Sequence, residues 1–93
     1  MIRFEWDENK NRSNRRKHGV WFEEAQTVFV DEQMRCFYDP EHSSEEDRYI
    51  ALGYSNANRL LVVAHCSRKS FMIRIISARR ATVKERRFYE ERI

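Results

Sequence analysis

Residues 49–78 read YIALGYSNANRLLVVAHCSRKSFMIRIISA, and the fold class can be inferred mainly from this segment. It contains three runs rich in aliphatic and aromatic side chains, at residues 49–54, 59–65 and 71–78. The two connectors between them have the Ser, Asn and polar residues typical of turns. Runs of this length joined by short turns predict three consecutive antiparallel strands. In the third run Ile73 and Ile75 can face one side of the sheet while Arg74 faces the other.

The amino-terminal segment before this stretch begins with a strand pattern. Ile2, Phe4 and Trp6 alternate with charged residues, which predicts a strand with one buried face. Residues 8–18, ENKNRSNRRKH, contain no strongly apolar side chain and are followed by Gly19, where a helix C-terminal glycine would lie. This segment is either a polar helix or a loop. A helix that is polar all round buries little, so its many cations would be unusual without a ligand.

The middle of the chain predicts a second helix and a short strand. Phe22, Ala25 and Val28 fall at helical spacing, which predicts a helix to about Val30. Residues 34–38 follow as a short strand, ended by Asp39-Pro40, and residues 41–47 form a polar connecting loop.

The carboxyl end predicts a last helix, because Thr82 and Glu85 have the T-x-x-E spacing of a capping box. The predicted order is therefore β-α-α-β-β-β-β-α. We expect an α+β fold in which helices pack on a mainly antiparallel sheet, with one face of the sheet partly open.

Length and composition set the broad class. With 93 residues and 41% hydrophobic content, the chain is long enough for one compact domain, which we expect to span residues 1–93. The longest mostly apolar run, residues 60–64, is far below the roughly 20 residues of a membrane-spanning helix. The first residues lack an apolar signal-peptide region. We therefore expect a cytoplasmic protein.

Charge is unevenly distributed along the chain. Residues 1–20 contain six Lys or Arg against three acids, residues 21–58 two against nine, and residues 59–93 ten against three. Such segregation favours a basic face that attracts a polyanion and an acidic region that could oppose a basic patch. The alternative is a solvated surface with internal salt bridges.

Phosphate binding would have to use side chains. The sequence has no P-loop, dinucleotide-binding glycine motif, zinc-protease motif or nucleophile elbow, and only two glycines. Cations are plentiful near both ends: Lys10, Arg12, Arg15, Arg16 and Lys17 early, and Arg68, Lys69, Arg74, Arg79 and Arg80 late. If the two groups border one cleft, that cleft suits an RNA backbone.

RNA contains its own nucleophile, the 2′-hydroxyl. Cleavage then needs a general base, cations that stabilise the phosphorane and a group that protonates the leaving oxygen, but no metal. His18 is the natural proton shuttle, with Glu24 or Tyr89 as possible substitutes, although a single His after a basic run is commonly a surface residue. Arg79 and Arg80 oppose the dipole of the last helix unless an anion, either phosphate or a nearby Glu, compensates.

We expect neither a metal nor a cofactor. His18, His42 and His65 show no zinc-site spacing among themselves or with the cysteines. Cys36 and Cys66 make no disulfide framework, and we expect both to be buried small hydrophobes. Aromatics such as Trp21, Phe22 and Phe88 could stack on bases, but at helical spacing they more often belong to a core.

Separate blocks along most of the chain resemble the BrnT family of toxins. The blocks are FEWD at 4–7, KHG at 17–19, FEEA at 22–25 with VFxD at 28–31, DxxHS at 39–43, RLLVV at 59–63, and RIISAR at 74–79 with AT at 81–82, ER at 85–86 and YE at 89–90. One departure is Trp21, where relatives usually have a small helix-capping residue such as Ser. This departure weakens the predicted start of the second helix.

The resemblance implies a RelE-like fold, endoribonuclease activity and arrest of translation in a bacterium under stress. It also implies a BrnA-type antitoxin with a ribbon-helix-helix domain. Toxin and antitoxin would form a heterotetramer that represses its own promoter, so operator DNA would be bound only through the complex.

Carried over block by block, the resemblance makes Lys17, His18, Arg74 and Arg79 candidates for RNA binding or cleavage. It gives Phe4, Trp6, Phe22 and Ile75 structural roles. Four further cations are candidates for RNA binding: Arg15 and Arg16 from the early basic run, and Arg68 and Arg80 on charge alone. RelE-like enzymes vary in their catalytic residues, so the fold does not transfer a mechanism. A module that binds RNA or antitoxin without cutting remains the alternative, as does an interaction domain whose basic regions contact nothing.

Overall fold

The computed structural model describes residues 2–68 and 71–91. Its elements follow the predicted order. The strands are β1 (Arg3–Glu5), β2 (Arg35–Tyr38), β3 (Arg48–Tyr54), β4 (Leu60–Arg68) and β5 (Met72–Arg80). The helices are α1 (Glu8–His18), α2 (Phe22–Ala25) and α3 (Val83–Glu90), with 3₁₀ turns at Gln26–Val30 and Pro40–His42. Lys69, one of the predicted late cations, lies outside the described residues.

The strands form one sheet in the order β1-β5-β4-β3-β2. The pairs β2–β3, β3–β4 and β4–β5 are antiparallel, and β1 runs parallel to its neighbour β5. The predicted α+β class and mainly antiparallel sheet are confirmed. Because β1 reaches only as far as Arg74, the remaining edge of β5 has no strand beside it in the described residues.

The face of the sheet that is covered by α2 contains the larger core. Apolar side chains of α2 and its flanking turns pack on the central strands there, with Phe22, Leu61 and Ile75 among the largest fully buried residues. Phe4 and Trp6 pack against this cluster. The structural roles expected for Phe4, Trp6, Phe22 and Ile75 are therefore confirmed.

The opposite face of the sheet is only partly covered. Leu52, Leu60 and Val62 form a second core with Tyr89 of α3. This helix covers one end of the face and leaves the other end, around Ile50 and Ala64, without a covering helix among the described residues. The uncovered end is the floor of the cleft described below.

The polar segment 8–18 is a helix, and buried asparagines explain why it forms without an apolar face. Asp7 caps its start by accepting from two backbone N–H groups, and Gly19 ends it with φ of 73°. Asn14 Nδ2 donates to the Val20 and Ala78 carbonyls, each at 2.8 Å, and Asn14 Oδ1 accepts from Ala78 N at 3.1 Å. The Asn14 amide thus bonds the backbone N–H and carbonyl of Ala78, which a neighbouring strand would otherwise bond at this edge of β5. The helix α1 is therefore held to β5 by hydrogen bonds.

The start of α2 is capped from another helix. Trp21 occupies the cap position but makes no side-chain cap hydrogen bond. Asn11 supplies the bond instead, because its Oδ1 accepts from Phe22 N at 2.7 Å. Asn11 is 1% exposed, so this cap is buried. The helix start expected from sequence is therefore kept although no small capping residue precedes it.

A β-bulge in β5 determines which face its last residues occupy. Ala64 pairs with Ser77 and His65 with Ile75, so Ile76 is an extra residue in β5. Simple alternation from Ile75 would put Arg79 on the core face. The bulge shifts the phase, as such insertions do, and Ser77 and Arg79 line the uncovered face while Ala78 is buried in the core.

The cysteine prediction is half wrong. Cys66 is buried, and burial raises the pKa of its thiol. Cys36, however, is exposed. It lies on β2 at the edge of the sheet, where the 3₁₀ turn Gln26–Val30 packs on β3 and leaves Cys36 uncovered.

Candidate functional site

A cleft of about 360 Å³ opens on the uncovered face of the sheet. Its floor is formed by small and apolar side chains of the central strands, including Ile50, Val62 and Ala64. Its rim is polar and comes from four places in the sequence: His18, Asp39 with His42, Arg48, and Ser77 with Arg79. The volume is in the lower part of the range of ligand pockets, roughly 300–1,000 Å³. An apolar floor with convergent charged groups is a typical binding site.

A second depression continues from this cleft. Its walls include Lys10 and Lys17 of α1 and Ile76 of β5, and it shares His18 and Ser77 with the first. The two depressions therefore meet at His18 and Ser77. Together they form one groove, which we call the basic groove, running from α1 across the end of β5 to Arg48 and His42.

Two of the predicted catalytic residues, Lys17 and His18, lie at the end of α1 beside this groove. The hydrogen bonds of Asn14 to β5 fix the height of the helix against the strand. Gly19 then turns the chain away, since its left-handed backbone suits glycine. Both side chains are exposed and line the groove wall. The structure therefore brings the early basic segment and the end of β5 together.

Arg79 lies in the cleft, paired with a carboxylate. Its Nη1 and Nη2 donate to Glu85 Oε1 and Oε2 at 2.9 and 2.8 Å. The Arg79 guanidinium lowers the pKa of Glu85 to about 2, and the Glu85 carboxylate raises the pKa of Arg79. The sequence allowed either a phosphate or a nearby Glu to compensate the charge of Arg79 near the start of α3. In the structure Glu85 provides this negative charge.

Sequence reasoning missed three residues of the cleft: Asp39, His42 and Arg48. His42 Nδ1 lies 2.9 Å from Asp39 Oδ2. The signal was the D-x-x-H spacing, which places both side chains on one turn, but it was noted only within the family resemblance. Segment 21–58 has nine acids and only two Lys or Arg residues, one of which is Arg48. The acidic balance of the segment therefore gave no reason to expect a cation of the site there. Within the described residues, no carboxylate pairs with Arg48.

Arg74 and Arg68 do not line this cleft. The pairing of Arg74 with Cys66, and of Cys66 with Arg48, places Arg74 at the end of the same face. There its Nη1 lies 3.7 Å from Glu5 Oε2, while Arg68 lies within 4.0 Å of Glu5 and Glu46 carboxylate oxygens. Both cations are thus matched by nearby acids.

The other three predicted RNA-binding cations are spread around the molecule. Arg15 lies over the Trp21 ring, with its Cζ 5.8 Å from the ring centroid. Arg16 is exposed in the last turn of α1. Arg80 is exposed at the end of β5, where its charge helps to lower the pKa of Glu24. Arg15, Arg16 and Arg80 are not among the residues that line the two depressions of the basic groove.

The two alternative proton donors or acceptors have structural partners. Glu24 accepts from Arg59 Nε at 3.0 Å and from Ser55 Oγ at 2.6 Å, and the Arg59 hydrogen bonds lower the pKa of Glu24. Tyr89 is buried and its hydroxyl donates to Asp31 Oδ2 at 2.6 Å. Neither lines the cleft, which leaves His18 as the predicted shuttle at this site.

Within residues 2–68 and 71–91, no group of three or more His, Cys, Asp and Glu side chains is placed to hold a metal ion. The third histidine, His65, lies on the core side of β4, where burial lowers its pKa. None of the helices in this described part of the chain is long and apolar enough to cross a bilayer.

Comparisons with known proteins identify the family and a similar fold. Residues 6–85 match the model of a family described as the ribonuclease toxin, BrnT, of type II toxin–antitoxin systems. The 1.1 Å crystal structure of the Brucella abortus ribonuclease toxin BrnT is similar, with a TM-score of 0.67 and 25% sequence identity. The match covers 88% of this chain and 99% of that one. The comparison with curated proteins gave no match. The chain belongs to the BrnT family of ribonuclease toxins of type II toxin–antitoxin systems.

Proposed function

We propose that this toxin is a metal-independent endoribonuclease that inhibits translation by cutting RNA in the basic groove. The observation that supports this most strongly is the junction of the two depressions at His18 and Ser77. A strand of RNA following the groove would pass Lys17 and His18 before reaching Arg48 and Arg79. Lysine and arginine side chains are suited to phosphate, and imidazole can accept or donate a proton near neutral pH.

The chemistry needs only groups that the groove contains. One imidazole removes the proton of the 2′-hydroxyl, the 2′-oxygen attacks the adjacent phosphorus, and cations stabilise the developing phosphorane charge. Arg48 is better suited than Arg79 to stabilise the phosphorane, because the charge of Arg79 is partly neutralised by Glu85. We propose that Arg79 positions the wall of the cleft and attracts the phosphate weakly. We propose that Lys17 binds the RNA backbone beside His18.

The remaining predicted cations divide by their surroundings. Arg15 and Arg16 extend the basic turn that contains Lys17, and we propose that they contact backbone phosphates beyond the groove. Arg74 lies at the end of the same face and would add long-range attraction. Because carboxylate oxygens of Glu5 and Glu46 lie near Arg68, we propose that Arg68 binds RNA more weakly than its charge alone predicts. We propose only a weak long-range contribution from Arg80.

The antitoxin partner implied by the family would neutralise the toxin by covering the basic groove. An acidic segment laid along Lys10, Lys17, Arg48 and Arg79 would replace RNA phosphates there, since the same cations favour either anion. We further propose a BrnA-type antitoxin with a ribbon-helix-helix domain, a cytoplasmic heterotetramer and repression of the shared promoter by that complex. Antitoxin-saturated toxin that still bound RNA as tightly as free toxin would contradict the covering of the groove.

A binding role without cutting is the second candidate. It is favoured by one observation, the pairing of Arg79 with Glu85, which occupies a cation that a catalyst could use. The test is incubation of the purified toxin with RNA in EDTA, with binding and cleavage measured in parallel. Cut RNA supports the ribonuclease, whereas RNA that is shifted in mobility but uncut supports binding alone.

A further inference from the structure

We propose that His42, oriented by Asp39, is the general base of the cleavage and that His18 is the general acid on the opposite wall of the cleft. This inference rests on the proposed function and deepens it by assigning one proton transfer to the imidazole of His42 and the other to that of His18.

The Asp39–His42 turn is held rigidly against the sheet. Asp39 N donates to Arg48 O at 2.9 Å, which ties the turn to the start of β3. Ser43 Oγ donates to Asp39 O at 2.6 Å and accepts from Arg48 N at 2.9 Å. The Asp39 side chain is 18% exposed and that of His42 is 61% exposed. The backbone of the turn is therefore held to the sheet and the carboxylate is largely enclosed, while the imidazole lies exposed at the rim of the cleft.

The hydrogen bond between the two side chains selects one tautomer of His42. A carboxylate only accepts, so the 2.9 Å contact makes Nδ1 the protonated nitrogen. In the neutral ring Nε2 then has a free lone pair, since the hydrogen bond at one ring nitrogen decides the state of the other. A ring held in this way is prepared to take a proton.

His18 approaches from the other side. His18 is the last residue of α1, which packs beside β5, whereas His42 lies in the turn after β2. The sheet order places β4 and β3 between β5 and β2. With about 4.8 Å between neighbouring strands, β5 and β2 are roughly 14 Å apart, and both side chains line the space between. In an in-line displacement the attacking and leaving oxygens lie on opposite sides of phosphorus. Two imidazoles on opposite walls match that requirement.

The proton transfers balance as follows. His42 Nε2 takes the 2′-hydroxyl proton as the 2′-oxygen bonds to phosphorus. His18, protonated at the start, gives its proton to the 5′-oxygen as the bond from phosphorus to that oxygen breaks. The products are a 2′,3′-cyclic phosphate and a 5′-hydroxyl. The enzyme then has a protonated His42 and a neutral His18, and exchange with water restores both.

A leaving-group substitution distinguishes the two histidines. We would compare an oligoribonucleotide having one natural linkage with a matched one whose leaving 5′-oxygen is replaced by sulfur. A thiolate leaves without being protonated, so general-acid catalysis is no longer needed. The variants are His18→Ala and His42→Ala, with Glu41→Gln as the control because Glu41 is an exposed residue of the same turn. Circular dichroism and thermal melts would establish that each variant is folded.

We expect both histidine variants to lose on the order of 10²–10⁴-fold in single-turnover rate on the natural linkage. On the sulfur linkage His18→Ala should recover to within about tenfold of the unaltered protein, while His42→Ala should keep its loss. Recovery of His42→Ala instead, or full activity of His42→Ala on the natural linkage, would overturn the assignment.

Asp39 acts through His42, so it is a positioning residue, and its test is the pH profile. Asp39→Asn offers Nδ1 a group that can donate, which destabilises the required tautomer, and we expect a changed acidic limb of the pH–rate profile. Asp39→Glu should restore part of the rate, whereas an unchanged pH profile in Asp39→Asn would contradict the positioning role. If the unaltered protein leaves the natural oligonucleotide intact, the proposed function itself is contradicted and the inference falls with it.

Discussion

The Glu85 carboxylate accepts two hydrogen bonds from the Arg79 guanidinium and a third from the backbone N–H of Thr82. The same glutamate thus completes the capping box of α3 and fixes the arginine at the end of β5. This contact lies where the face covered by α3 meets the cleft, because Glu85 lines the depression beside α3 and Arg79 lines the cleft. Glu85 is therefore a structural residue at the boundary of the candidate site.

Glu85→Gln should make stability less dependent on pH in the acid range. Pairing lowers the pKa of Glu85 from 4.5 to about 2 in the folded chain. A carboxyl group with a depressed folded pKa stabilises the fold above its unfolded pKa, and this contribution is lost as pH falls towards the folded value. The difference in free energy of unfolding between the unaltered protein and Glu85→Gln should be constant above about pH 5. It should shrink between pH 4.5 and about 2.

Urea unfolding at a series of pH values measures this difference, with Glu90→Gln, an exposed change in the same helix, as the control. A difference that grew on acidification would contradict the pairing.

Asn14→Ala should destabilise the protein although it removes a polar side chain. The substitution leaves the Val20 carbonyl and the Ala78 N–H and carbonyl without their partner in a buried setting. Each unsatisfied buried group costs about 1–3 kcal/mol, so we expect a loss of at least about 2 kcal/mol. Asn9→Ala, an exposed change on the same helix, is the matched control and should cost far less. Equal effects of the two changes in denaturant unfolding would show that Asn14 does not hold α1 to β5.

The two glycines should respond differently to alanine. A Cβ at Gly53 would lie 2.9 Å from Val28 Cγ1 and 3.1 Å from Asp31 Oδ2, so Gly53→Ala overpacks the core at a cost of about 1–3 kcal/mol. A Cβ at Gly19 would meet nothing within 4 Å. Its φ of 73° still makes Gly19→Ala unfavourable by roughly 1–2 kcal/mol. Gly19→Asn should recover part of that loss, but Gly53→Asn should not. Thermal unfolding of the four variants is the measurement.

Salt dependence of RNA binding should separate the predicted cations. Removal of one phosphate contact lowers the slope of log K against log salt by about 0.7 for a single strand. We expect that change for Lys17→Ala, whose side chain lines the groove, and a smaller one for Arg68→Ala, which has Glu5 and Glu46 nearby. A larger effect of Arg68→Ala would move the RNA path away from the groove.

Sequence patterns predicted the fold well because its decisive features are local. Alternation in β1, turn chemistry in the meander and the T-x-x-E spacing at Thr82 each depend on near neighbours in the chain. Segment 8–18 was ambiguous, since Asn11 and Asn14 are polar residues with buried roles and their partners are distant in sequence. Exposure of Cys36 was missed because no local pattern shows that β2 is an uncovered edge.

The candidate site was only partly predictable for the same physical reason. Lys17, His18 and Arg79 became candidates through the blocks that resemble the family, and His18 also because imidazole suits proton transfer. The bulge at Ile76, which puts Arg79 on the cleft face, depends on pairing between strands and leaves no clear sequence signal. The D-x-x-H spacing places His42 beside Asp39, but only the tertiary structure brings this turn and Arg48 to the cleft.

Metal-independent cleavage in the basic groove can be tested by incubating the purified toxin with total RNA in EDTA, beside folded His18→Ala and Arg79→Ala variants, and then mapping the RNA ends. We expect the unaltered toxin to leave 2′,3′-cyclic phosphate ends without added metal, His18→Ala to lose this activity, and Arg79→Ala to lose part of it. Cleavage only when a divalent metal is supplied, or intact RNA under both conditions, would contradict metal-independent cleavage by this toxin.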